Sequence, residues 1–149
     1  MITLLDVYQN GKGNPIPGAA EVLFELLRER PREANISHKE LPSYAQHELF
    51  VRSKPYRAWF LVLNEYEQRV GAVSLTRNNE IGIAILKKYH RQGYALQAIE
   101  AVLKFPPLLG LPGQRNAHYV ANVAPGNEAS HQLFTKAGWH PIQVTYQRP

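Results

Sequence analysis

The sequence predicts a single-domain α/β fold, a mixed and mostly antiparallel sheet flanked by helices, and three observations predict it. The 149 residues are enough for one domain with a proper core and suggest no second one. Residues 57–63 and 70–76 are β-rich apolar runs around a polar turn, and Asn78–Asn79 leads into a third run at 81–86, so a three-strand antiparallel meander is expected. After a short basic loop the period changes: Ala95, Ala98, Ile99, Val102 and Leu103 recur at helical spacing, which places Gly93 at a helix start.

Taken in order, residues 2–8 are apolar enough for a first strand, and turn residues at 10–15 end it. Pro17 suits a first helical turn. Ala19, Ala20, Val22, Leu23, Leu26 and Leu27 then form one stripe opposite Glu21, Glu25, Arg28 and Glu29, until Pro31 ends the helix. Ser37 and Glu40 stand at capping-box spacing, and Pro42 fits only a first turn, so a second helix is expected through Tyr44, Gln46, His47, Leu49 and Phe50. Gly71, inside a strand, marks a bulge or a close backbone approach.

Phe105-Pro106-Pro107 stops the helix that begins after Gly93, and the apolar loop at 108–114 either lines a pocket or covers the core. Residues 116–123 read as a strand parallel to 81–86, because a helix crosses between them. Asn127 caps a further helix carrying Ala129, Leu133 and Phe134, Gly138 terminates it, and residues 139–146 are expected to close the sheet.

Composition narrows the function. Hydrophobic residues make up 44% and charged residues 19% of the chain, the balance of a globular protein rather than a disordered one. The absence of cysteine excludes a disulfide framework, a thiol nucleophile and a cysteine-ligated zinc, and no metal is expected. Residues 1–8 have neither a basic leader nor a long apolar run, so a cytoplasmic protein without a membrane contact is the expectation. The net charge of +5 is spread without a basic run of five or more, which argues against nucleic acid and leaves room for a polyphosphate ligand.

The basic loop offers that ligand a place. A helix N-terminus presents backbone N–H groups without intrahelical acceptors, and its dipole favours negative charge. Gly93 at that start, with Lys87, Lys88 and Arg91 around it, suits a diphosphate.

The segment His90-Arg91-Gln92-Gly93-Tyr94-Ala95 resembles the pyrophosphate loop of the GNAT N-acyltransferases, with His90 in place of the family's first Gln or Arg. The run Glu80 to Ile85 is similar to that family's central splayed strand. Residues 127–139, with Asn127, Ser130, Leu133, Phe134, Lys136, Gly138 and Trp139, resemble its second motif. The resemblance covers residues 51–146 and implies a sheet whose central parallel strands splay, with acetyl-coenzyme A as co-substrate. It further implies that backbone N–H groups of Ile83, Ala84 and Ile85 bind the pantetheine arm and thioester oxygen. Arg91, Gln92, Gly93, Tyr94, Ala95 and Leu96 would hold the pyrophosphate, and Asn127 would bond the arm near the thiol.

Acyl transfer to an amine requires a neutral amine, a polarised carbonyl and a proton for the leaving thiolate. The family's tyrosine donor is Phe134 here, and the strand position where some relatives carry a glutamate base is Asn122. Glu80, at the mouth of the motif strand, is the nearest carboxylate, so Glu80 and Asn122 are the candidate catalytic residues. Tyr119, His118 and Tyr146 stand as further donors, and His38, Tyr44 and His47 as polar groups of the acceptor wall. The expected function is acetyl transfer to the primary amine of a small molecule, with a loose similarity to enzymes of nucleotide-linked amino sugars. A non-catalytic acyl-coenzyme A module and a protein N-terminal acetyltransferase remain alternatives, and a homodimer is left open.

Overall fold

The computed structural model describes residues 1–9, 12–31 and 40–149. Strand β1 (Thr3–Asp6) leads to helix α1 (Ala19–Glu29) and helix α2 (Tyr44–Arg52). The meander follows as β2 (Ala58–Leu63), β3 (Arg69–Leu75) and β4 (Ile81–Ile85), and helices α3 (Tyr94–Val102) and α4 (Glu128–Lys136) complete the described elements. The four strands pair antiparallel in the order β1-β2-β3-β4.

Alternation along the strands separates two apolar layers. Trp59, Leu61 and Ala72 pack with Ala19, Leu23 and Leu26 of α1 and Val51 of α2. Val62, Val73, Leu75 and Ile81 pack with Tyr94, Ala98 and Val102 of α3 on the opposite side. The sheet is therefore buried between a helix pair and a single helix, and β4 is one of its two edge strands.

Gly71 has a specific cause. A Cβ built there would lie 2.3 Å from the Ala84 carbonyl oxygen, so β3 and β4 approach at that point as only glycine permits. A register shift between Val62 and Leu63 accompanies it on β2.

Several expected boundaries change. The box that starts α2 is Ser43 with Gln46: the Ser43 hydroxyl accepts from the Gln46 N–H, and the Gln46 side chain accepts from the Ser43 N–H. The Ser37–Glu40 pairing lies outside the described residues. Gly18, rather than a residue before Pro17, occupies the N-cap of α1, so the proline precedes the helix. At the end of α4 the Trp139 N–H reaches the Phe134 carbonyl and the Gly138 N–H the Thr135 carbonyl, with Gly138 at φ 91°, the Schellman arrangement that the glycine predicts.

The expected strand at 116–123 is not a strand. Its parallel contact with the motif strand is one bridge, Glu80 with Val120, in which the Ile81 N–H donates to the Val120 carbonyl (2.8 Å) and the Val120 N–H to the Asn79 carbonyl (2.9 Å). Beyond that bridge no ladder forms, so the predicted parallel pair reduces to a contact at one end from which the two segments diverge. Residues 139–146 likewise form no strand and do not close the sheet. Ile142, Val144 and Tyr146 are exposed, so their alternation meets no sheet face, and Pro141 lacks the N–H a ladder would use.

Candidate active site

The site is built along β4, which spans about 17 Å at the usual strand rise. The Thr76 N–H bonds to the Glu80 carbonyl at one end and the Leu86 N–H to the Val70 carbonyl at the other. Antiparallel alternation between these fixed points turns the N–H groups of Gly82 and Ala84 toward β3 and those of Ile83 and Ile85 outward. Of the three expected backbone donors, Ile83 and Ile85 are therefore offered on the free edge. Ala84 is corrected: its N–H belongs to the ladder with Ala72.

After β4 the chain makes a 3-10 turn (Lys87–Tyr89) and enters α3. Arg91 and Gly93 have φ of 64° and 80°, and Gly93 is the N-cap, with no side chain capping the helix. The first N–H taken up there is that of Gln97, on the Gly93 carbonyl. Tyr94, Ala95 and Leu96 present N–H groups with no acceptor among the described residues, and left-handed residues at 91 and 93 curl the preceding backbone around the same point.

Room is not the constraint at Gly93. A Cβ would meet only the Gln97 amide nitrogen, at 3.7 Å, so the requirement for glycine is its positive φ. Lys87, Lys88, Arg91 and Gln92 are exposed around the turn, leaving a concave, cationic set of donors suited to a diphosphate. The departure at His90 acquires a role here. Its Nε2 lies 2.6 Å from the Ile85 carbonyl oxygen, and since a carbonyl only accepts, Nε2 carries the proton and ties the loop to the end of β4.

Asn127 is at the N-cap of α4, where its side-chain oxygen accepts the Ser130 N–H at 3.3 Å. That leaves its NH₂ group as the half able to donate to a ligand.

At the opposite end of β4 the Glu80 side chain projects on the face of Gly82 and Ala84, toward the α1/α2 layer. Both of its oxygens are held: Thr76 Oγ1 donates to Oε1 at 3.1 Å and Asn122 Nδ2 to Oε2 at 2.5 Å. Asn122, the other candidate catalytic residue, carries no basic site on its carboxamide and spends an N–H on Glu80. Beside Glu80, Gly82 stands opposite Ser74 and Ser74 opposite Trp59. A Cβ on Gly82 would fall 2.7 Å from Ser74 Oγ, so glycine leaves that hydroxyl its place, and beyond Ser74 the Trp59 ring packs edge-on against Tyr56 and Phe50.

The apex is braced by Asn79, which sequence reasoning assigned only to a turn. It is 0% exposed at φ 61°. Its amide donates to the Leu108 and Asn116 carbonyls at 2.8 and 2.7 Å, and its oxygen accepts the Leu108 N–H at 2.9 Å. These bonds fix the 108–116 loop beside Glu80.

Of the other expected polar groups, His47, Tyr44 and Tyr119 are engaged in hydrogen bonds within the fold. His47 is buried with Nε2 3.2 Å from the Ala20 carbonyl, and burial lowers its pKa from 6.5. Tyr44 donates to Glu21 at 2.8 Å and Tyr119 to the Phe105 carbonyl at 2.6 Å. Phe134 is 8% exposed with its ring 5.0 Å from that of Trp139, so it belongs to the packing under α4. His118 is exposed, Tyr146 is 92% exposed, and His38 lies outside the described residues. Among the described residues no group of three or more His, Cys, Asp or Glu could hold a metal, and no helix is long and apolar enough to cross a membrane.

The chain thus combines a one-ended parallel contact, an open strand edge and an uncapped helix start. Residues 18–140 match the family model described as an acetyltransferase (GNAT) domain, and the chain belongs to that family. It is an acetyltransferase whose acyl donor is acetyl-coenzyme A. None of the curated proteins compared matches it in sequence. Among solved structures it is similar to the dodecameric spermidine N-acetyltransferase from Vibrio cholerae, at 18% identity and TM-score 0.65, over 95% of this chain and 81% of that one. The aminoglycoside N-acetyltransferase AAC(6')-Iy in complex with CoA is similar at 16% identity and TM-score 0.60, over 100% and 95% of the two chains. A putative acetyl transferase from Pyrococcus furiosus follows at 19% identity and TM-score 0.57, over 100% and 99%. At these identities the likeness is one of fold.

Proposed function

We propose that residues 1–149 act as one cytoplasmic domain that transfers the acetyl group of acetyl-coenzyme A to the primary amine of a small molecule, a nucleotide-linked amino sugar being the leading acceptor. The observation that carries this reading is the placement of Glu80. Its carboxylate is held by Thr76 and Asn122 at the end of the strand whose outward N–H groups meet the acyl arm.

The bound donor supplies an activated acetyl thioester. The N–H groups of Ile83 and Ile85 orient the arm along the strand edge and polarise its carbonyl. Arg91 to Leu96 hold the diphosphate, and the Asn127 amide meets the arm near its sulfur. Glu80 takes a proton from the acceptor ammonium, directly or through one water, so that the neutral nitrogen attacks the thioester carbonyl. The carbon–sulfur bond breaks, coenzyme A leaves as the thiolate, and the proton the nitrogen sheds on forming the amide passes through solvent to that thiolate. Positioning along the strand supplies a large share of the barrier reduction, on the order of 7 to 11 kcal/mol for well-oriented reactants.

A second reading, a module that binds acyl-coenzyme A without turnover, is favoured by the packed Phe134, which offers no proton to a leaving thiolate. Release of free thiol from acetyl-coenzyme A, followed over nucleotide-linked amino sugars, free amino sugars, polyamines and peptide N-termini, separates the two. Saturable release with the first class is expected. Coenzyme A binding with no release by any amine would leave the binding module.

A further inference from the structure

We propose that the acceptor carries an anionic group, a phosphate or a carboxylate, and that Arg57 and Arg77 bind it in a cleft at the acceptor end of the sheet. The inference rests on the acetyl-transfer reading for its role and adds the chemical class that the site selects. The cleft, about 470 Å³, lies where β1 ends, β2 begins and β3 ends, the end of the sheet from which Glu80 enters β4.

Three cationic side chains, Lys54, Arg57 and Arg77, line it together with the single carboxylate of Asp6. That carboxylate already accepts the Tyr8 N–H at 2.8 Å, and the Lys54 ammonium stands 5.3 Å over the Tyr8 ring. The Tyr8 hydroxyl donates to the Val51 carbonyl, and burial, helped by Asp6, pushes its pKa up to about 12. The phenol therefore stays neutral and does not offset the cations.

Arg57 shows what is missing. Its Nη2 donates to the Pro106 carbonyl at 2.9 Å, which fixes the guanidinium, while Nη1 is the one buried side-chain polar atom without a partner among the described residues. A buried charged N–H left unmatched is costly, and an anionic oxygen is the acceptor a guanidinium fork suits best. Arg77 is exposed on the β3–β4 turn and makes no hydrogen bond or ion pair among the described residues. It stands three residues before Glu80, and Leu108, on another wall of the cleft, is held by Asn79. An anion between the two arginines thus leaves the rest of the acceptor lying toward Glu80, with Trp59 as an apolar wall.

Matched acceptors test this: an amino sugar against its phosphomonoester, and an amino acid against its amide. The expected result is that kcat/KM favours the anionic member of at least one pair by tenfold or more, and that Arg77→Gln reduces that preference at least fivefold. Which pair responds identifies phosphate or carboxylate. Turnover without an anionic preference, or a preference untouched by Arg77→Gln, overturns the subsite while leaving acetyl transfer intact.

Should no amine turn over, coenzyme A-saturated protein titrated separately with inorganic phosphate and acetate decides by nuclear magnetic resonance. One of the two anions should move the Trp59 indole signal, leave the Trp139 signal as internal reference, and lose its effect in Arg77→Gln. No movement with either, or the same movement in the variant, contradicts the proposal.

Discussion

At the C-terminal end of β4 the outward-facing groups are backbone N–H donors from consecutive stretches, Ile83 and Ile85 on the strand edge and Tyr94, Ala95 and Leu96 on the helix start. At its N-terminal end the groups are side chains from separate parts of the chain: Thr76 and Glu80 flanking a turn, Asn122 some forty residues later, and Arg57 and Arg77 on the neighbouring strands' ends. Backbone donors need only the correct dihedral angles, so one glycine and a change of period specify them. Converging side chains need the tertiary fold. The donor end should thus tolerate most side-chain changes that spare the backbone, whereas the acceptor end should fail when a single functional group is altered.

The largest effect expected from that contrast is at Glu80. Glu80→Gln keeps the size of the side chain and one of its two acceptor oxygens and removes its basicity, so turnover at neutral pH should fall about 10² to 10⁴-fold. Part of the loss should return at higher pH, where more of the acceptor amine is already neutral. Steady-state rates between about pH 6 and 9 check this, and a rate unaltered across the range would make Glu80 a structural residue.

Next in size are two substitutions that disturb the ends of the strand differently. Gly71→Ala forces a Cβ against the Ala84 carbonyl and should cost about 3 kcal/mol of stability by overpacking. Asn79→Ala removes three buried hydrogen bonds at a positive φ, with a cost of about 3 kcal/mol or more. Urea denaturation gives both values. The sharper comparison is in the folded protein, where Asn79→Ala should raise the acceptor KM and leave coenzyme A affinity nearly unchanged, because the 108–116 loop borders only the acceptor end.

The smallest effect is one of pH. Burial lowers the His47 pKa below 6.5, so in the window between its folded value and 6.5 the unfolded chain binds more protons than the folded one. Stability is fully present above that window and is lost as pH falls through it. His47→Gln keeps an N–H donor for Ala20 and removes the titration. Melting temperatures of wild type and variant should therefore converge as the solution is acidified, and parallel curves would contradict the assignment.

These differences explain what the sequence disclosed. The meander, Gly71, the turn at Asn78–Asn79, the caps at Asn127 and Gly138 and the helix start at Gly93 were legible, because each is a local pattern with a local cause. The strand expected at 116–123 was misjudged since its apolar alternation is satisfied by one bridge and a diverging wall. Residues 139–146 carry a strand-like alternation that meets no sheet in this fold. Arg57 and Arg77 left no signal, since an arginine at a strand end is ordinary until the fold sets two of them around one cleft. Asn79 announced its positive φ but not the three bonds that make it a brace.

The central claim, that the donor end is made of backbone held in shape by Gly93, is tested most directly by calorimetric titration of coenzyme A into wild type and Gly93→Val. A β-branched residue at φ 80° is strained and should move the loop off the geometry that presents the Tyr94, Ala95 and Leu96 N–H groups. Binding is expected to weaken about a hundredfold, about 2.7 kcal/mol, with a circular dichroism spectrum that still reports a folded protein. Equal affinity in the folded variant would contradict the claim and move the diphosphate away from the start of α3.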